Sequence, residues 1–307
     1  MKKCLLSLAL GAVICTCANE LINVSMCRGN KRRFAPFVKL NKEQRIFETA
    51  AKRDNAESSD IKAVSWHMKL SDGSRLYARI LDRGSHKWAV VVHGYGLDGS
   101  LMLYAARRFY DRGYNVLLPD LRAHGRSSGK YIGWGWNDRG DIRQWCRCIT
   151  DYDADAKIAL YGVSMGAAAV LCAVGDGLGK NVRCGVSDCA FTSVKDILYY
   201  RIRRMLHLPP ALVMLWLKPW CSLKTGLCIE KASVVEQVKK SRIPLMFCHG
   251  DRDRFVPTDS ALELYAVAPP PKKLVLVHGA GHGVAAFLGG EGYWSRVLDF
   301  TEKYIGK

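Results

Sequence analysis

A chain of 307 residues, 49% of them hydrophobic, carries enough apolar material for a full core in one large α/β domain or two small ones. The formal charge of +18 raises the question of nucleic-acid binding, but no recognition helix, stacking-aromatic motif or zinc knuckle accompanies it. Nucleic acid is therefore not expected, and an anionic lipid surface or plain solubility accounts for the charge better.

Twelve cysteines do not make a disulfide scaffold at this length. Cys146 and Cys148 form C-x-C rather than C-x-x-C, and Cys172, Cys184, Cys189 and Cys248 lie in core-like runs where buried free thiols are expected.

The first residues differ in kind from the rest. Lys2 and Lys3 precede an apolar run from Cys4 to Ala18, then a mixed stretch to Met26 and a basic cluster of Arg28, Lys31, Arg32 and Arg33. The run suits a signal-peptide core and is short for a spanning helix unless Leu21 to Met26 extend it. Thr16-Cys17-Ala18 fits the small-x-small cleavage rule only loosely, and the basic cluster opposes export of the chain beyond it. Residues 1–33 are expected to be an uncleaved membrane anchor with a basic flank, associating with the membrane through residues 4–26. A cleaved signal and secretion form the alternative. Residues 34–307 are expected to be the main folded domain.

Within that domain, β-prone runs alternate with helical patterns. Strands are expected near residues 63–69, 76–82, 88–92, 115–119, 157–161, 183–187, 243–248 and 273–278. The alternation favours one doubly wound, mostly parallel eight-stranded sheet, with an antiparallel start because Asp72-Gly73 reads as a hairpin turn. His93 comes after the third strand and His124 after the fourth. One histidine per block lacks the spacing of a metal site, so both are expected to shape loops, and no metal or cofactor is expected. Gly133 to Trp136 reads as a structural lead into a helix from Asp138, with Asp141 serving that helix N-terminus.

Gly162-Val163-Ser164-Met165-Gly166 lies between the fifth strand and a small-residue helical run, Ala167 to Val174. That context makes it a nucleophile elbow, with glycines where helix and strand leave no room for a Cβ. A serine hydroxyl needs a base and an orienting acid. His282, in the flexible loop after the last strand, is the expected base, with His278 at the strand end its rival. Asp253, in the loop after the seventh strand, is the expected acid, because Asp251 occupies a first turn where Asp often only caps the backbone. Asp188, after the sixth strand, is a second rival acid, read as a loop-start residue bonding the backbone near Ser193. One oxyanion donor is expected from the Met165 N–H and the other from the loop after the third strand.

Residues 194–241 form an insertion too long for a simple crossover. Apolar residues from Ile197 to Leu208 recur at near-helical spacing, and a second apolar helix, Ala211 to Leu217, ends at Pro219-Trp220. The helices are expected to pack on the core and form a lid whose apolar inner face receives an acyl or aromatic group.

These blocks, with His93-Gly94-Tyr95-Gly96, Asp120 to Ser127, His249 to Pro257 and Gly281-His282, run in order from about residue 62 to the end. Together they resemble the α/β-hydrolase superfamily and, more narrowly, its serine aminopeptidase and monoacylglycerol lipase branch, in small N-terminally anchored bacterial members. The resemblance implies the Tyr95 N–H as second oxyanion donor and eight strands as the usual number. Ala123 stands where the branch usually has glycine. The expected activity is hydrolysis of a small hydrophobic carboxylic ester through an acyl-enzyme. A peptidase, thioesterase or acyltransferase would use the same parts. A binding protein on the same fold would have lost a member of the Ser164, Asp253, His282 set.

Overall fold

The computed structural model describes residues 19–29 and 61–306, with Thr16 and Thr49 as isolated positions. Eight strands form one sheet: β1 (Ala63–Lys69), β2 (Arg75–Leu81), β3 (Lys87–Val92), β4 (Asn115–Asp120), β5 (Lys157–Val163), β6 (Val182–Asp188), β7 (Leu245–Gly250) and β8 (Lys272–Val277). Their spatial order is β1-β2-β4-β3-β5-β6-β7-β8. The β1–β2 and β2–β4 pairs are antiparallel and all others parallel. At the hairpin, the Ser74 N–H donates to Asp72 Oδ1 (2.8 Å), which holds the turn that pairs Lys69 with Arg75.

The central strands read as continuous apolar runs because both faces are covered. Alternation along β3 divides them: Trp88, Val90 and Val92 enter one core, Ala89 and Val91 the other. The first core is closed by α2 (Arg139–Tyr152) and α3 (Met165–Gly175). The second is closed by α1 (Leu103–Asp111) and, at the chain end, a long helix, Gly290–Ile305, whose Trp294 and Phe300 pack beneath the sheet.

The insertion is helical: α4 (Val194–Arg201), a π turn (Ile202–Leu206), α5 (Pro210–Thr225) and α6 (Val234–Val238). Met214, Leu217 and Cys221 are the buried face of α5. That helix runs on through Pro219, past the expected end. Proline removes one backbone donor, but Pro219 and Leu215, whose carbonyl loses its partner, both lie on the exposed face, where water reaches them.

Of the segment expected to be an anchor, residues 19–29 are described. Residues 19–26 are helical and packed against the folded body. Ile22 and Met26 are buried in the first core, each contributing on the order of 1.5–3 kcal/mol of apolar burial. Arg28, expected as part of a basic membrane flank, donates to the carbonyls of Gly125 and Ser127. Ile22 and Met26 thus pack into the folded body, with Leu21 partly buried against it. The apolar run at residues 4–18, apart from Thr16, lies outside the described residues. Among the described residues, no helix is long and apolar enough to cross a membrane.

Candidate active site

Ser164 stands at the β5–α3 turn with φ 55° and ψ −116°, a sparsely populated conformation that costs roughly 1–3 kcal/mol and is held by its surroundings. A Cβ on Gly162 would stand 2.5 Å from the Gly166 carbonyl oxygen, and one on Gly166 would collide with the carbonyls of Val92 and His93. Only glycine fits at either place. The turn sets Ser164 at the N-terminus of α3, where the helix field favours negative charge.

The loop after β3 comes to the same spot. A Cβ on Gly94 would lie 3.5 Å from the Ser164 Cβ. His93 and His124 hold that loop. The Leu121 N–H donates to His93 Nε2 (3.0 Å) and the Gly96 N–H to His124 Nε2 (3.1 Å). Their Nδ1 atoms face the carbonyls of Gly94 and Arg122, both at 2.8 Å. Asp120 completes the frame by accepting from the N–H groups of Gly99 and Arg126. Ala123 has φ 60°, so a glycine there would relieve strain of roughly 1–2 kcal/mol.

The loops after β7 and β8 are stitched together by Asp251 N–H to Val277 O (3.1 Å) and Arg252 N–H to Ala280 O (2.9 Å). This brings His282 over Ser164. Ser164 Oγ lies 2.8 Å from His282 Nε2, and His282 Nδ1 lies 2.6 Å from Asp253 Oδ2. Asp253 Oδ1 accepts from the Phe255 and Val256 N–H groups at 2.8 and 2.9 Å. His249 Nε2 sits 3.0 Å from the Val256 carbonyl and 3.2 Å from Asp253 Oδ2. Burial alone would raise the Asp253 carboxyl, but the charge of His282 and the hydrogen bonds of His249 and His282 outweigh it and hold it well below the usual carboxylate range. For His249, burial works toward a lower value and the Asp253 carboxylate overcomes it, leaving the imidazole raised.

The rivals go elsewhere. His278 Nδ1 pairs with Asp251 Oδ2 at 2.8 Å on the surface, and Asp251 Oδ1 accepts the Gly279 N–H. Asp188 does not bond the backbone near Ser193. It is buried at the end of β6, where it accepts from the Tyr293 hydroxyl (2.7 Å), which in turn meets Tyr161 (3.0 Å). Burial pushes the Asp188 carboxyl up. Its own backbone carbonyl accepts the Ser164 N–H (2.8 Å), so Asp188 supports the elbow from below. Asp141 lies in the first turn of α2 as expected, but its carboxylate is also gripped by Arg122 in two bonds of 2.6 and 2.9 Å.

Cys189 Sγ lies within 4.8 Å of ligand atoms of Asp253 and His282, a trio with the composition of a metal site. Asp253 and His282 are engaged with each other, however, and burial pushes the Cys189 thiol far up, so the trio does not offer three free donors.

Above Ser164 and Met165 opens a cavity of about 630 Å³ with almost wholly apolar walls. Ile197, Leu198, Ile202 and Leu217 of the insertion form part of its lining. Two further walls escaped the sequence reading. Trp134, in the segment read as a structural lead into a helix, lines the cavity and stands 5.7 Å from the Tyr95 ring. Leu21, Val24 and Ser25 of the N-terminal helical segment line it too, and the Tyr95 hydroxyl donates to the Ser25 carbonyl at 2.8 Å. The apolar spacing of Leu21 and Val24 was the available signal, absorbed there into the anchor.

An eight-stranded, mostly parallel sheet with a strained serine at the turn after its fifth strand is the architecture of α/β hydrolases. Residues 89–291 match the Alpha/beta hydrolase family, and the chain belongs to it. Among known proteins it is similar to the uncharacterized protein YqkD of Bacillus subtilis, 25% identical over 214 residues, covering 69% of this chain and 70% of that protein. It is also similar to the uncharacterized protein YfhR of Escherichia coli, 24% identical over 249 residues, covering 78% of this chain and 80% of that one. Among solved structures, the Pyrococcus furiosus esterase Pf2001 superposes with a TM-score of 0.67 at 24% identity, covering 82% of this chain and 95% of that one.

Proposed function

We infer that this α/β hydrolase cleaves a small hydrophobic carboxylic ester through an acyl-enzyme, with Ser164 as nucleophile, His282 as general base and acid, and Asp253 as the acid that orients it. The observation that carries the reading is the unbroken chain from Ser164 Oγ through His282 to Asp253 at the floor of an apolar cavity.

His282 Nε2 takes the Ser164 proton as the Oγ–carbon bond forms and the carbonyl electron pair moves to oxygen. The N–H groups of Met165 and Tyr95 receive that oxyanion, aided by the α3 N-terminus. Collapse breaks the carbon–oxygen bond to the alcohol, which leaves with the proton from His282. Water then attacks the acyl carbon, giving its proton to His282, and collapse breaks the carbon–Oγ bond as His282 returns that proton to Ser164 Oγ and the carboxylic acid departs. Asp253, kept ionised, fixes the imidazole tautomer and stabilises the imidazolium. A serine at the elbow speaks against dehalogenase or epoxide-hydrolase chemistry, which uses a carboxylate there.

The ester preference rests on the apolar cavity, and the Pyrococcus furiosus protein of the same fold is an esterase. An acyl-chain-length series of 4-nitrophenyl esters, run beside aminoacyl-4-nitroanilides, tests it. Turnover is expected on the esters, with kcat/KM rising with chain length until the cavity is filled. Turnover confined to the anilides would replace the esterase reading with a peptidase.

A further inference from the structure

One cation stands in this apolar cavity without a counter-ion among the described residues. Arg201, the last residue of α4, lines the cavity that holds Ser164. Its guanidinium carbon lies 3.7 Å over the Phe255 ring, and Phe255 stacks on His282 at 4.7 Å between ring centroids and 22° between planes. A single aromatic ring therefore separates the guanidinium from the catalytic imidazole. Among the described residues, no carboxylate lies within ion-pair distance of Arg201, and Asp253, the acid beyond the rings, is engaged elsewhere.

The charged groups around it sharpen the point. Arg204, three residues on in the π turn, adds like charge, whereas Asp253 beyond the rings is engaged by His282 and His249. Glu20 is the other charged residue of the cavity wall, is exposed, and accepts from the Asn23 side chain. Burial pulls the Arg201 guanidinium down to about 10, because leaving water disfavours its charge. The Phe255 face offsets part of that cost, as an aromatic quadrupole does for a cation. Phe255 accepts none of the five N–H donors of the guanidinium.

We propose that Arg201 is a specificity-determining residue that binds a carboxylate carried by the substrate, so that the preferred substrate is an anionic amphiphilic ester. The apolar walls take its chain while the planar fork of donors takes its carboxylate. This rests on the serine-hydrolase reading above and changes none of its chemical steps.

Two matched ester pairs test it, one with the charge on the acyl side and one on the leaving group. Mono(4-nitrophenyl) adipate is compared with 4-nitrophenyl hexanoate, and 3-carboxyphenyl hexanoate with 3-carbamoylphenyl hexanoate. In Arg201→Met, the ratio of kcat/KM for the anionic over the neutral ester is expected to fall about 10- to 100-fold in at least one pair, with Arg201→Lys in between. The pair that responds shows which side of the ester carries the carboxylate. Should anionic and neutral esters fall in parallel, Arg201 only steadies Phe255 and His282, and the proposal is overturned. Unchanged ratios in both pairs overturn it too. Fluorophosphonate labelling of Ser164 in the same preparations separates this failure from failure of the hydrolase reading, because a labelled wild type with unchanged ratios indicts Arg201 alone.

Discussion

Two Asp–His pairs hang from the same two loops, two and four residues apart in sequence, and only one of them reaches the serine. Asp251 and His278 meet at 2.8 Å, with side chains 33% and 88% exposed. Asp253 and His282 meet at 2.6 Å, with side chains 0% and 11% exposed. The residue types are the same and the distances nearly so. What differs is the shell around the carboxylate. Asp253 receives two backbone N–H groups and the charge of two imidazoles in a dry setting, where such interactions are strong. Asp251 shares its bonds with solvent and serves to stitch the β7 loop to Gly279. The two Asp–His contacts are set apart by what encloses them and by what the far imidazole nitrogen faces.

The largest effect should separate the two acids. Asp253→Asn is expected to lower kcat on a 4-nitrophenyl ester by about four orders of magnitude through loss of tautomer control, with KM little changed. Asp251→Asn should leave kcat within about twofold, as surface substitutions away from a site do. Near-normal turnover by Asp253→Asn would move the role to Asp188 or Asp251.

A smaller effect concerns acid stability. The Asp253 carboxyl lies below its ordinary value in the folded chain, while the unfolded chain titrates near about 3.9. Its contribution to stability is therefore complete above that value and lost as pH falls through the folded-state pKa. The raised His249 works in the opposite sense, contributing below its ordinary value and losing that contribution as pH rises through the folded one. Urea unfolding of wild type between pH 5 and pH 2 should show a decline that Asp253→Asn flattens. Asp251→Asn should retain most of the wild-type slope, since solvent screens its partners. Parallel slopes for both variants would mean that burial does not distinguish the pairs.

Much of this arrangement was legible in the sequence. The strands come from runs of Val, Ile and Leu, which parallel strands covered on both faces require, and the observed bounds lie within about two residues of the expected ones. Asp253 and His282, chosen over Asp251 and His278 from their places in the loops, are the pair that meets Ser164. Asp188 was misplaced because its partner Tyr293 lies 105 residues away on the last helix, and no local pattern announces such a contact.

The cavity was the least legible part. Leu21 and Val24 read in sequence as a candidate extension of the apolar run before them, and only tertiary packing shows that they line the cavity. Trp134 hid in a glycine-rich turn. Arg201 hid in an apolar helical run whose hydrophobic spacing drew attention away from its one cavity-facing charge.

The most direct measurement is covalent. Wild type, Ser164→Ala, His282→Ala and His278→Ala are treated with a fluorophosphonate, and the modified peptide is mapped by mass spectrometry. The account predicts one label per wild-type chain on Ser164, none on Ser164→Ala, labelling slowed by about a thousandfold or more in His282→Ala, and a wild-type rate in His278→Ala. An unlabelled wild type, equal labelling of Ser164→Ala, or loss of reactivity in His278→Ala with His282→Ala unimpaired would contradict it.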